Sequence, residues 1–469
     1  MNFFEKATPE SCGISSKNII DFVETICQAQ GDLETHSFLL IRHGKLVCEG
    51  YFSPYNKDTQ HSLFSVSKSF TSLAIGFLID EGKICVDDYI HTYFPELINE
   101  DINKENLKIK IHHLLSMTLG QQGGVVHEGQ NRSDAMLYDF FHRNKDVECG
   151  TEFRYDSYGT YMLAALVKKL TGMNTVEYLM PKLFEPLGIS QPYYLKDSIG
   201  INIGYTGMRM KLRDLAKVGY LYLNGGKWKG EQLISKEWID TATKKHIDTH
   251  STTGEDWQQG YCYQLWRGRH NTFRLCGANG QMCVIMPDYD AIFVVNSGYD
   301  NSKIKNVLDA FYENIMLNMK HNPIEEDKEN LKKLENILEN LKITFKFSEM
   351  SPMAEIINGR TYNISEKGAY KAVKFDFDND EVKVTLVSDE KDFQFTAGFT
   401  KPVWGKTIGT HFSTLEHSDN SETVATAIWN TKKDLEITLR LLGTPSIVKV
   451  VADFDKEPKA ELVTIRCKF

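Results

Sequence analysis

An α+β fold is predicted: an antiparallel sheet flanked by helices, with an additional C-terminal antiparallel β domain. Three observations predict it. A hairpin pattern near the N-terminus is followed by long helical stretches; two strand patterns and a helix return between residues 273 and 316; and from about residue 358 the pattern is almost purely β. The chain of 469 residues is too long for one compact core. The expected division is a helix-and-sheet domain over 1–322, a linker helix over 323–345, and a C-terminal domain over 346–469 that is barrel-like or a curled sheet.

After a short N-terminal helix, "HSFLLIRHGKLVCEGYF" (36–52) alternates around a His-Gly turn and reads as a hairpin. "HSLFSVSKSFTSLAIGFLIDEGKI" (61–84) opens with small hydroxylated residues and becomes a helix, with Leu73, Phe77 and Leu78 at helical spacing. A further helix over 109–120 is expected to stop at Gly120. The polar, turn-rich stretch 121–150 suits a lid or substrate loop. "YDSYGTYMLAALVKKLTG" (155–172) is a tight turn feeding an amphipathic helix, and 213–226 is another helical stretch. Residues 273–287 and 290–298 read as two strands joined by a Pro-Asp turn, and 304–316 as a helix covering a sheet. In 325–342, Leu331, Leu334, Leu338 and Leu341 share one helical face, a seam too short for a coiled coil.

A net charge of −9 without a basic block excludes an electrostatic footprint for nucleic acid. No apolar run is long enough for a membrane span. The N-terminus lacks a basic region followed by an apolar stretch, so no secretory signal is expected. Nine cysteines, an odd number without a CxxC pair, read as reduced thiols and place the protein in a cytoplasm. Cys276 and Cys283 are two ligands at most, so no metal is expected. His112 and His113 read as helix residues, and His127-Glu128 as a solvated loop.

Ser65 and Lys68 stand three positions apart, so their side chains share a face of a helix start. A serine there has a backbone N–H available to an oxyanion, in a favourable helix dipole. A desolvated lysine beside it accepts the hydroxyl proton. On the tetrapeptide alone, a helix cap and a solvated lysine is the preferred reading.

"FSVSKSFTSLAIGFLIDEGKICVDDYI" resembles the active-site helix of the serine β-lactamase and penicillin-binding-protein superfamily, class C-like branch. "GTEFRYDSYGTYMLAALVKKLTG" and "LNGGKWKGEQLISKEWI" are similar to later segments of the same branch, in the same order. The resemblance spans residues 8 to 318 and implies a β-lactamase/transpeptidase-like fold. It places Tyr155 and Ser157 in the second motif. A phenol near an ammonium has its pKa drawn down and relays a proton; Ser157 would hold Lys68, or simply form a turn. The third motif aligns with Ala278-Asn279-Gly280. Gly280 would admit substrate to the strand, and the N–H of Gln281 would complete an oxyanion hole with that of Ser65.

Two departures stand out. Ala278 replaces the cation that holds a substrate carboxylate in enzymes acting on penicillins, which favours a neutral ester or amide. Arg269, His270 and Arg274 are possible substitutes, less expected than ordinary strand or loop residues. Cys149 stands where the branch usually has proline. The expectation is a serine hydrolase acting on a small ester, amide or peptide through a Ser65 acyl-enzyme, with Lys68 and Tyr155 as proton shuttles and no cofactor. The alternatives are a D,D-peptidase, a weak β-lactamase, or a non-catalytic ligand-binding relative. The sequence leaves the oligomeric state open.

Overall fold

Thr35–Arg42 (β1) and Lys45–Tyr51 (β2) form the expected hairpin, turning on His43 and Gly44 with φ of 52° and 69°. The computed structural model describes residues 3–29, 34–121, 135–364, 370–406, 422–454 and 463–468; His127-Glu128, with the rest of 122–134 in the expected 121–150 loop, lie outside them. The chain divides into two units, one of residues 1–50 and 62–340, the other of 51–61 and 341–469.

In the first unit, Trp266–Arg267 (β3), Phe273–Gly277 (β4), Gln281–Met286 (β5) and Ala291–Ser297 (β6) join the hairpin in one six-stranded sheet, ordered β2-β1-β6-β5-β4-β3. The stretch 273–287, expected as one strand, is therefore a hairpin. Its chain reverses at Ala278-Asn279-Gly280, and Gly277 pairs with Gln281. Asn279 and Gly280 take left-handed backbone, φ 59° and 81°, which Asn-Gly accommodates at little cost.

The helices that matter for the site are Ser16–Gln28 (α1), Ser67–Asp80 (α2), Ile111–Ser116 (α3), Ser157–Thr171 (α4), Leu212–Leu223 (α5), Ile304–Asn314 (α6) and Lys328–Glu339 (α7). Phe22 of α1 meets Phe38 and Phe293 edge-on at 5.5 and 5.6 Å, and Phe293 stacks on Phe311 of α6 at 4.0 Å. These rings bind α1 and α6 to the sheet. Helix α5 packs on β1, β5 and β6, where a Cβ on Gly219 would come within 2.3 Å of Cys283 Sγ. Helix α7 packs on α1 through buried Leu334, with Lys333 paired to Glu24 at 3.2 Å.

Every residue of α2 from Ser67 to Leu78 is buried. Its hydroxyls find partners in the surrounding loops rather than in water. Ser69 Oγ donates to Gln264 O at 2.9 Å, Thr71 Oγ1 to Gly204 O at 2.8 Å and Ser72 Oγ to Tyr263 O at 2.9 Å, while Ser67 Oγ accepts from Met208 N at 3.0 Å. The helix is thereby fixed in rotation as well as in position.

The second unit holds a nine-stranded sheet running from Thr361–Asn363 at one edge to Val463–Lys468 at the other, with its pairings antiparallel apart from a parallel contact at Gly398 and Thr426. Strands Asp434–Leu441 and Ile447–Asp453 alternate buried and half-buried residues, as expected of a sheet with one covered face. Phe375, Val384, Ile437 and Val450 lie in its core. It is a curled sheet with two free ends among the described residues.

Candidate active site

Ser65 sits in a single 3₁₀ turn, Phe64–Val66, that runs directly into α2. The N-cap of α2 is Val66, with no side-chain cap, so the serine hydroxyl does not serve as a helix cap. Phe64, immediately before it, holds a left-handed φ of 47°. That conformation costs a non-glycine residue of order 1 kcal/mol and persists where neighbours over-determine it.

Lys68 is only 1% exposed, which removes the solvated-lysine reading. Its Nζ lies 3.2 Å from Ser65 Oγ and 3.5 Å from Ser157 Oγ, and donates to Tyr205 O at 3.1 Å. The rings of Tyr155 and Tyr205 face it at 4.9 and 5.3 Å. Burial lowers its pKa to about 7, against the pull of the Asp156 carboxylate. At neutral pH a large share of Lys68 is an uncharged amine.

Tyr155 is half-buried and hydrogen-bonded to Ser65. Its ring lies parallel to Trp266, 6.0 Å away, with Tyr261 edge-on at 6.4 Å. Here the structure corrects an expectation. Burial pushes the phenol above its ordinary pKa, the Ser65 hydrogen bond opposing, whereas a neighbouring ammonium was expected to draw it down. The cause is burial, which disfavours the charged form of both groups: the Tyr155 phenolate and the Lys68 ammonium.

Ser157 begins α4. Asp156, which sequence reasoning passed over, caps that helix by accepting from Gly159 N at 3.0 Å, and pairs with Arg143 at 2.8 Å. Burial raises the Asp156 pKa, and Arg143 opposes the rise. The available signal was an Asp at a helix start.

Of these side chains, Ser65 and Tyr155 open on a cavity of about 650 Å³, within the range of small-molecule sites. Its lining joins Ser65, Cys276, Gly277 and Ala278 with an aromatic wall of Tyr155, Trp257 and Trp266, and residues 252–256 and part of the segment from Asn301 to Lys305 complete it. Of the four strand residues predicted here, Ala278 lines the cavity and Asn279, Gly280 and Gln281 do not. They build the β4–β5 turn instead. Asn279 Nδ2 donates to Tyr299 O at 2.9 Å, and Ser297 Oγ donates to the carbonyls of Asn279 and Gly280 at 2.7 and 2.9 Å. Gln281, fully buried, donates through Nε2 to Ser297 O at 2.6 Å.

The glycine beside the serine is Gly277: a Cβ there would lie 2.3 Å from Leu63 O and 3.2 Å from Ser65 N. Gly280, expected to open the strand to substrate, sits in the turn instead, because the hairpin reverses between Gly277 and Gln281. The basic residues considered as carboxylate anchors are committed elsewhere. Arg269 forks onto Asp256 at 2.9 and 3.0 Å, Arg274 is buried and donates to Asp256 O at 2.7 Å, and His270 packs on Tyr312. Lys305 does line the cavity, paired with Asp309.

Residues 20–310 match the family model described as Beta-lactamase. A curated relative, the 6-aminohexanoate-dimer hydrolase of Paenarthrobacter ureafaciens, is 26% identical over 294 residues, covering 56% of this chain and 73% of that protein. Among solved structures, a Bacillus anthracis protein described as a candidate 6-aminohexanoate-dimer hydrolase superposes with a TM-score of 0.52 at 22% identity, covering 66% of this chain and 86% of its own. EstCE1, a hydrolase with promiscuous acyltransferase activity, superposes at 0.53 with 19% identity, covering 63% and 99%. Both likenesses are of fold, over about two thirds of this chain.

Proposed function

This hydrolytic enzyme belongs to the β-lactamase family, and from that premise we propose that it cleaves a small neutral ester or amide through an acyl-enzyme on Ser65. The observation that carries the reading is the buried Lys68 amine 3.2 Å from Ser65 Oγ. Neutral Lys68 takes the hydroxyl proton as Oγ bonds to the substrate carbonyl carbon. Ser157 Oγ and Tyr205 O hold the amine on the serine. Tyr155, protonated because burial disfavours its phenolate, donates its proton to the leaving alcohol or amine and recovers one from Lys68. Water then attacks the acyl carbon, with Lys68 as base, and frees the acid and Ser65.

The tetrahedral oxyanion is held by the N–H groups of Ser65 and Ala278, on the two sides of the Gly277 contact. This replaces the Gln281 N–H of the sequence alignment, since Gln281 lies across the hairpin from Gly277. With Gly277 as the motif glycine, the cation position falls on Leu275, which is fully buried. The apolar residue and the aromatic wall support a substrate without a carboxylate at that point, and disfavour penicillin-like substrates and D,D-peptides.

Free thiols at the described cysteines support a reducing, cytoplasmic setting. No described helix is long and apolar enough to cross a membrane. The test is a screen of p-nitrophenyl esters, D-amino-acid amides and a chromogenic cephalosporin, with fluorophosphonate labelling in parallel. Ester or amide turnover and labelling are expected, both abolished in Ser65→Ala. Ester hydrolysis retained by Ser65→Ala overturns the assignment.

A further inference from the structure

Gln264 lies in the loop that joins Tyr261 to Trp266, is 3% exposed, and holds a left-handed φ of 65°. A residue with a Cβ stays in that conformation only where its surroundings fix it. Here three helices do so. The side-chain Nε2 donates to Leu114 O at 2.9 Å and Leu115 O at 3.1 Å, both in α3. Oε1 accepts from Thr160 Oγ1 of α4 at 2.8 Å. The backbone N–H donates to Leu115 O at 3.1 Å, and the backbone carbonyl accepts from Ser69 Oγ of α2 at 2.9 Å.

Two of those partners adjoin the candidate site. Ser69 follows Lys68 on α2, and Thr160 lies one helical turn beyond Ser157 on α4. The same loop ends at Trp266, the ring parallel to Tyr155. Gln264 thus touches the supports of Lys68, Ser157 and Tyr155 without lining the cavity itself. Its amide suits the place chemically, since one end donates to two carbonyls while the other accepts from a hydroxyl. A carboxylate would face two carbonyl oxygens, and an aliphatic side chain would forfeit all three side-chain hydrogen bonds.

We propose that Gln264 is a positioning residue for the hydrolytic reaction: by tying α2 and α4 to one loop, it sets the separation of Lys68 from Ser65 and Ser157. The inference rests on the acyl-enzyme reading above. Gln264 makes no contact with substrate, so its loss affects the rate of acylation and leaves binding in place. Loosening the two helices also admits water to Lys68, which returns its proton affinity toward that of an ordinary lysine.

The experiment compares Gln264→Gly, Thr160→Val and the double variant in the full chain. Glycine keeps the left-handed backbone and its main-chain bonds while removing the amide, and valine deletes only the hydroxyl bond at near-constant shape. The readouts are the rate of fluorophosphonate labelling, kcat and KM on a p-nitrophenyl ester, the acid limb of the pH profile, and Tm. The expected result for Gln264→Gly is a labelling rate and kcat about ten- to hundred-fold lower, with KM little changed and the acid limb moved upward. Thr160→Val moves both in the same direction by less, and the double variant adds little to Gln264→Gly. A fall in Tm with kcat, labelling and the acid limb unchanged overturns the proposal and leaves Gln264 a packing residue, as does a loss confined to KM. Should Gln264→Gly fail to fold, Thr160→Val decides on the same readouts. The underlying reading fails separately: Ser65→Ala would then keep its turnover.

Discussion

Lys68 Nζ stands 3.2 Å from Ser65 Oγ while the lysine is 1% exposed, so one side chain both serves the serine and burdens the fold. With its pKa lowered to about 7 by burial, the amine is protonated on the acid side and free on the alkaline side. The rate of serine labelling is expected to rise with pH through about 7 and level off above it. A labelling rate that is flat between pH 6 and 8 would remove Lys68 from the role of base.

The same burial has a thermodynamic cost. The unfolded chain keeps Lys68 protonated up to its ordinary pKa of 10.5, whereas the folded chain releases the proton near 7. Between those values the unfolded state binds the extra proton, so this group's contribution to stability increases as pH rises from about 7 to 10.5. Lys68→Met is expected to abolish turnover, to raise Tm by a few degrees at pH 7, and to lose that pH-dependent increment. Thermal melts of both proteins at pH 7 and 9.5 check it.

Gly277 and Gly280 separate site from scaffold. A Cβ at Gly277 meets backbone, Leu63 O and Ser65 N, which cannot swing away. Gly277→Ala should therefore lower kcat by about ten-fold or more through displacement of Ser65. Gly280 has φ of 81°, and its Cβ would meet Tyr299 and Ser297 side chains. Gly280→Ala should cost stability first, with a larger fall in Tm per unit loss of kcat than Gly277→Ala.

His113 and His246 are half-buried and favoured in their neutral form. Burial lowers both to a pKa of about 4, in a group where His246 stacks on Tyr263 at 3.8 Å and His112 Nδ1 lies 2.5 Å from the Tyr263 hydroxyl. Since the unfolded histidines protonate near 6.5, stability should fall as pH drops from 6.5 to 4 and lose nothing further to these groups below that. His246→Gln should flatten part of that slope in melts between pH 7 and 4; an unchanged slope would refute it.

Much of this was legible in the sequence because it is local. Leu73, Phe77 and Leu78 marked a helix, and the alternation around His43-Gly44 marked a hairpin. Ser65 and Lys68 meet as their spacing suggested, and Tyr155 and Ser157 stand beside them, where only the family resemblance had put them. The burial of Lys68 was not legible, because it depends on loops about 140 and 200 residues away, at Tyr205 and Gln264. The glycine beside Ser65 was misassigned by three positions. Asn279-Gly280 between apolar runs is itself a hairpin signal, and reading it as a turn would have left Gly277 on the strand facing the serine. Leu331, Leu334, Leu338 and Leu341 announced an apolar face but not its partner, which is α1 for Leu334.

The all-round burial of α2 has a consequence for how this protein can diversify. Substitution on that helix disturbs packing on every side, so the chemistry rides on a part of the chain with almost no freedom to vary. Two other parts of the cavity lining, within residues 252–257 and 301–305, come from loops and a helix start whose side chains are largely half-buried or exposed. New substrates are therefore gained by rewriting those two segments, while the serine and its amine stay as they are.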